Sequence, residues 1–203
     1  MTLPIEIKDD NFKAALEWLI PVEGESLCHD SGGWTKYGIS QRAYCPNETE
    51  AKAKEIINAL TFNKAALWYF ENYWTKGQLE IFKHPLSLLH FDCVVNAGKA
   101  GAVKLLQKAL NDCGHPLTVD GVLGKRETIP ALLRVQHESI PVLFKYCISQ
   151  YQHHRLNLWF YLVYEKQYTV VNGKKVLYSQ YLKGWMKRHY WLHQHISKIL
   201  SEN

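Results

Sequence analysis

The stretch PLSLLHFDCVVNAG, residues 85–98, decides the fold. Its apolar side chains lie all around a helix instead of on one stripe, the pattern of a helix enclosed by others. Pro85 opens it, and Gly98 and Gly101 punctuate its C-terminal side. Beyond them AVKLLQKALNDCG (102–114) reads as an amphipathic helix that Gly114 stops. Toward the N-terminus, Thr61 can cap a helix running to about Trp74, with Leu67, Phe70 and Trp74 facing inward, and 47–59 reads as a charged surface helix. Asp9 and Asp10 can cap a helix that begins near Asn11. It carries Phe12, Ala15, Leu16, Leu19 and Ile20 on one face, and Pro21 disturbs its end. After a loop over 115–128, helix returns from about Pro130 to Gln167, broken near 138–141. Asn172-Gly173 between apolar runs signals a hairpin, and 179–200 is helical again. The expected class is mainly α with small β-hairpins, as one α-dominated unit or a bilobed one.

The 203 residues are 47% hydrophobic and 21% charged, the balance of a globular chain. A net charge of +5 favours polyanions, namely nucleic acid, anionic lipid or an acidic envelope. No dense Lys/Arg run of a nucleic-acid arm is present, so no nucleic-acid partner is expected. No window is apolar enough to span a membrane, so membrane insertion is not expected either. The N-terminal MTLPIEIKDDNF lacks the apolar core of a secretory signal. Synthesis in the cytoplasm is therefore expected. The five cysteines (Cys28, Cys45, Cys93, Cys113, Cys147) are odd in number and show no CxxC spacing, which argues for reduced thiols over a disulfide framework or zinc site. His189 and His193 stand four apart on an expected helix, but without HExxH they read as surface histidines. No metal or cofactor is expected.

The chemistry concentrates in Glu23-Gly-Glu-Ser-Leu-Cys-His-Asp30-Ser-Gly-Gly-Trp-Thr35-Lys-Tyr-Gly38-Ile39, an irregular or hairpin-forming segment. Glycoside hydrolysis needs an un-ionised carboxyl to protonate the leaving oxygen. It also needs a second polar group to hold water or offset positive charge on the sugar. Glu23 follows Leu19, Ile20 and Val22, and desolvation there suits an acid. Asp30, in a Gly/Ser-rich loop, suits an ionised partner. The competing readings are a surface glutamate, an Asx-turn aspartate, and a packing or capping role for Thr35. Glu25 is a rival carboxylate. Asp92, in the apolar helix, needs a partner and reads as structural, holding the loop after Asp30.

The pattern E-G-x-x-x-x-x-D-x-G-G-x-T-x-x-G-I resembles the opening motif of the glycoside hydrolase family 108 muramidases, which include phage endolysins and secretion-associated lysozymes. The family usually shows E-G-G-Y, where this chain has Glu25 and Ser26 in the third and fourth places. Further stretches are similar in order. They are Tyr73-Trp74, Phe91-Asp92…Asn96-Ala-Gly98, Leu106-Gln107…Leu110-Asn111, Asp120-Gly121…Gly124 with Thr128 one place late, and Gly184-Trp185…Arg188.

The resemblance implies a lysozyme-like helical fold. It implies a catalytic region over 1–100 and a helical peptidoglycan-binding-like region over 101–203 packed on it. It also implies cleavage of the β-1,4 bond between N-acetylmuramic acid and N-acetylglucosamine, with Glu23 as general acid. Asp30 and Thr35 are implied to position water or stabilise the cation, and Tyr73, Asn96 and Asp120 to contact substrate. The expected partner is the peptidoglycan glycan strand, met by a monomer in the periplasm or wall after holin- or secretion-assisted release. A non-catalytic peptidoglycan-binding or secretion-accessory protein is the alternative. A nucleic-acid- or partner-binding role rests on net charge alone.

Overall fold

The computed structural model describes residues 7–30, 33–137, 141–171 and 173–202. They form two compact units, residues 1–80 and 81–203.

In the first unit, helix α1 spans Asp10–Glu23. Its N-cap is Asp9, whose carboxylate accepts from the Phe12 amide at 2.9 Å. The other Asp9 oxygen accepts from Trp74 Nε1 at 2.8 Å, so one side chain caps a helix and anchors a distant ring. The expected apolar face of α1 is buried, and Phe12 sits edge-on between Phe70 and Trp74, at 5.0 and 5.3 Å. Pro21 does not end the helix. It lies in the last turn, where little helix follows the amide bond it lacks, and its ring faces solvent. Helices α2 (Gln41–Tyr44), α3 (Glu50–Asn58) and α4 (Phe62–Tyr69) come next, and α4 widens into a π-turn over Phe70–Thr75. Thr49 and Thr61 cap α3 and α4 through their hydroxyls. Ala65, Ala66, Tyr69 and Trp74 face the core, with Leu67 and Phe70 half-buried.

Between α1 and α2 lies a three-stranded antiparallel sheet, β1 (Cys28–Asp30), β2 (Gly33–Lys36) and β3 (Ile39–Ser40). Cys28, Thr35 and Ser40 stand opposite one another across it. Lys36 Nζ donates to the carbonyls of Asn58 and Leu60 at 2.8 and 2.7 Å, placing a cation at the C-terminal end of α3 and tying the sheet to it.

The second unit is built on α5 (Leu86–Asp112), which bends at Gly98 (φ 71°). Leu86 to Val94 are all buried, as the apolar run predicts. Both helical halves of α5, on either side of Gly98, belong to this unit. Around α5 come α6 (Thr128–Val135), α7 (Pro141–Phe160) with a terminal π-turn over Tyr161–Lys166, the hairpin β4 (Tyr168–Val171) and β5 (Lys174–Leu177), and α8 (Ser179–Glu202). The hairpin turns where Asn172-Gly173 predicts it, although Asn172 itself lies outside the described residues, as do 138–140 at the expected helix break. Helix α7 buries Cys147, Ile148, Tyr151, Gln152, Arg155 and Trp159, a stripe at helical spacing that includes a cation. No described helix is long and apolar enough to cross a membrane.

Candidate active site

Glu23 is the last residue of α1, and the chain leaves the helix through Gly24 at φ 88°, ψ 147°, a conformation open to glycine. The β2–β3 connection is a two-residue turn, Tyr37-Gly38, with φ of 54° and 73°, as a type I′ hairpin requires. Tyr37 holds its strained φ while Tyr69 Oη donates to its carbonyl at 2.9 Å. Gly38 matters for space as well. A Cβ there would fall 2.7 Å from Tyr69 Oη and 2.8 Å from both Cβ and Cγ of Glu23. The Glu23 side chain therefore lies across the bare backbone of the turn, beside the Tyr69 hydroxyl.

Tyr69 and Tyr73 pack at 5.7 Å between ring centres, and Trp68 packs on both, at 5.4 and 5.2 Å. Tyr44 extends this row to Trp68 at 6.3 Å. The Tyr73 hydroxyl is held above its ordinary range, first by burial and then by the negative charge of Glu23, which places that carboxylate within electrostatic reach of the phenol. Glu23 itself is half-buried.

Thr35, in the middle strand, has a buried hydroxyl with no hydrogen-bond partner among the described residues, and the same holds for Trp34 Nε1. A buried unsatisfied hydroxyl costs stability unless something else meets it. The Asp30 backbone closes β1 opposite Gly33, while its side chain lies outside the described residues. Glu23, Thr35 and Tyr73 thus share one unit, and Glu25 is exposed there.

The remaining sequence-derived sites belong to the second unit. Asn96 is exposed and donates to the Asp92 carbonyl at 2.7 Å. The Asp120 carboxylate is engaged locally, accepting from Gln107 Nε2 at 2.7 Å and the Val122 amide at 2.8 Å. Gln107 also reaches Val122 O and Thr128 Oγ1 and accepts from the Gly121 amide. Asn111 exchanges two bonds with Leu117. The L-Q-x-A-L-N and D-G-x-x-G stretches are therefore one hydrogen-bonded loop anchor, which Thr128 joins despite its shifted place. Hydrogen bonds donated to its charged form hold the Asp120 carboxyl below its usual range.

Asp92 is fully buried, and its partners differ from the expected loop after Asp30. Its two oxygens take Arg155 and Arg188, the latter Nε at 2.8 Å. The F-D and G-W-x-x-R stretches meet in this ion triad. Arg155 also lies over Trp159 at 4.5 Å, and Trp159 stacks on Trp185. Two residues escape a reading of the sequence. Arg155 has no motif to mark it. Tyr69 stands four before Tyr73, and that helical spacing is the signal that could have found it.

The family model described as glycosyl hydrolase 108 matches residues 16–98, a span that holds Glu23, Asp30, Thr35, Tyr73 and Asn96 but not Asp120. Among solved structures, SagA of Brucella abortus is similar with a TM-score of 0.68 and 24% identity, over 93% of this chain and 95% of that one. That likeness extends the mainly helical, lysozyme-like fold across nearly the whole length. No curated protein matches the chain.

Proposed function

We propose, from the match of residues 16–98 to the glycosyl hydrolase 108 model, that the chain is an N-acetylmuramidase cleaving the β-1,4 bond between N-acetylmuramic acid and N-acetylglucosamine. The observation that carries this reading is the placement of Glu23 at a helix end, laid over the Gly38 turn and beside the Tyr69–Tyr73 pair. A carboxyl seated over this turn within reach of two tyrosines is placed for proton transfer to the glycosidic oxygen. The proton moves from Glu23 to the leaving oxygen as the C–O bond breaks, and positive charge grows on the sugar ring. Asp30 offsets that charge or takes a proton from the attacking water. Thr35, whose hydroxyl has no partner among the described residues, accepts from or donates to that water. The row Tyr44, Trp68, Tyr73 offers ring faces for sugars. Asn96, exposed, keeps its proposed contact with substrate. Asp120 we assign to its loop, since its carboxylate already satisfies Gln107 and Val122. Action in the periplasm or wall, reached by assisted release, belongs to the same proposal.

Clearing of a peptidoglycan suspension tests it. Glu23→Gln removes the acid and should slow clearing by roughly 10²–10⁴-fold. Undiminished clearing by that variant overturns the assignment. Co-pelleting of the wild-type chain with peptidoglycan and no clearing supports the binding-only alternative.

A further inference from the structure

Residues 161–191 contain eight of the chain's nineteen tyrosines and tryptophans. They also contain six basic side chains against one acidic, Glu165, for a formal +5, which equals the net charge of the entire chain. Everything outside this stretch is electrically balanced. Of the six, Arg188 is spent on its ion pair with Asp92, which leaves five lysines.

The backbone turns the apolar side of this stretch to solvent. In the β4–β5 hairpin, Tyr168 pairs with Leu177 and Val170 with Lys175, so these four share one face. All four are exposed, Val170 by 61% and Leu177 by 50%, while Thr169, Val171 and Val176 on the opposite face are half-buried. A hairpin in water ordinarily turns polar side chains outward, whereas three of these four are aliphatic or aromatic. The preceding π-turn adds Tyr161 and Tyr164, the latter 64% exposed. Lysines stand over rings of this stretch, Lys175 at 4.0 Å from Tyr168 within the hairpin and Lys187 at 4.4 Å from Trp191 along α8. An exposed apolar patch of this kind marks an interaction surface.

We propose that this face docks the protein peripherally on an anionic phospholipid bilayer. Tyrosine and tryptophan rings favour the headgroup level, where one edge is wet and the body is not. Val170 and Leu177 are aliphatic. They give nothing to sugar stacking or to nucleobases, but they gain by entering the acyl boundary. Lysines with long stems and mobile charges suit a diffuse layer of lipid phosphates, and nucleic-acid readers instead rely heavily on arginine forks. Bilayer docking does not rest on the muramidase reading, because every residue it uses lies within the second unit.

Co-sedimentation of the full chain with large vesicles tests the proposal. One set holds three parts phosphatidylcholine to one part phosphatidylglycerol, and the other phosphatidylcholine alone. The chain should pellet with the anionic set, lose most binding in high salt, and show a blue-shifted tryptophan emission. Lys175→Gln with Lys187→Gln should weaken binding roughly fivefold per charge, since each juxtamembrane lysine contributes about that factor. Val170→Thr with Leu177→Thr keeps strand-forming residues and should also weaken it. Clearing of purified peptidoglycan should be unchanged in both variants. Absence of binding to anionic vesicles overturns the proposal, as does binding that neither double variant reduces. Light scattering that shows a dimer dissolved by Val170→Thr with Leu177→Thr also overturns it, since a second copy then occupies the face.

Discussion

Replacing Gly38 by alanine puts the geometry of the candidate site to a quantitative test. At φ 73° an L side chain costs roughly 1–2 kcal/mol of backbone strain. The added Cβ would also stand 2.8 Å from two carbons of Glu23, against about 3.4 Å for ordinary contact. Relief requires a shift of about 0.6 Å, and overpacking of this kind costs about 1–3 kcal/mol more. The total is about 2–5 kcal/mol. Gly173→Ala provides the control, because its φ of 74° is nearly the same and, among the described residues beyond its chain neighbours, no atom lies within 4 Å of its Cβ. It should lose only the strain term. Activity should separate the two further. Displacing a catalytic group by about 1 Å costs on the order of 10²-fold, so Gly38→Ala should clear peptidoglycan roughly ten- to a hundredfold more slowly. Urea unfolding and clearing rates on the same preparations give both numbers. If Gly38→Ala matches Gly173→Ala in stability and clears at the wild-type rate, Glu23 is not seated over the turn as described.

Other consequences rest on the same structure. Thr35→Val removes a buried hydroxyl that has no described partner, so stability should hold or rise slightly while clearing slows. A stability loss with full activity would make Thr35 structural. Asp92→Asn leaves the buried Arg155 and the partly buried Arg188 short of their counter-charge and should cost about 3–5 kcal/mol in urea unfolding, whereas an exposed ion pair would cost under about 1. His90 is fully buried, its ring stacked on Phe82, and burial pushes it down to about 3. The unfolded chain therefore takes up a proton below about pH 6.5 that the fold refuses. Stability should fall as pH drops from 6.5 toward 3, by about 1.4 kcal/mol per unit from this group. His189, pushed to about 4 mainly by burial, adds a smaller share because it is only half-buried. A flat profile between pH 6.5 and 4.5 would contradict both. Alkylation followed by mass spectrometry should label exposed Cys28 first and spare buried Cys93 and Cys147 until urea unfolds the chain.

Much of this was legible because it is local. The caps at Asp9 and Thr61, the apolar run of α5, the stop at Gly114 and the β4–β5 hairpin all act within a few residues of themselves. The segment from Glu23 to Gly38 was legible as a candidate site for the same reason. Its carboxylate, glycines and strand threonine occupy one short stretch. What sequence could not give is pairing at a distance. That Asp92 needs a partner is evident from its apolar helix, but Arg155 and Arg188 lie 63 and 96 residues away, and nothing local points to them. Gln107, fourteen residues before Gly121, closes the Asp120 loop, and nothing local points to that pairing. Tyr69 meets the Tyr37 turn across 32 residues.

Mass analysis of the fragments released from purified peptidoglycan tests the central claim most directly. The account predicts disaccharide-peptides ending in reducible N-acetylmuramic acid from the wild-type chain and none from Glu23→Gln. Fragments cut only within the peptide, or equal yields of the sugar-ended products from both proteins, would contradict it.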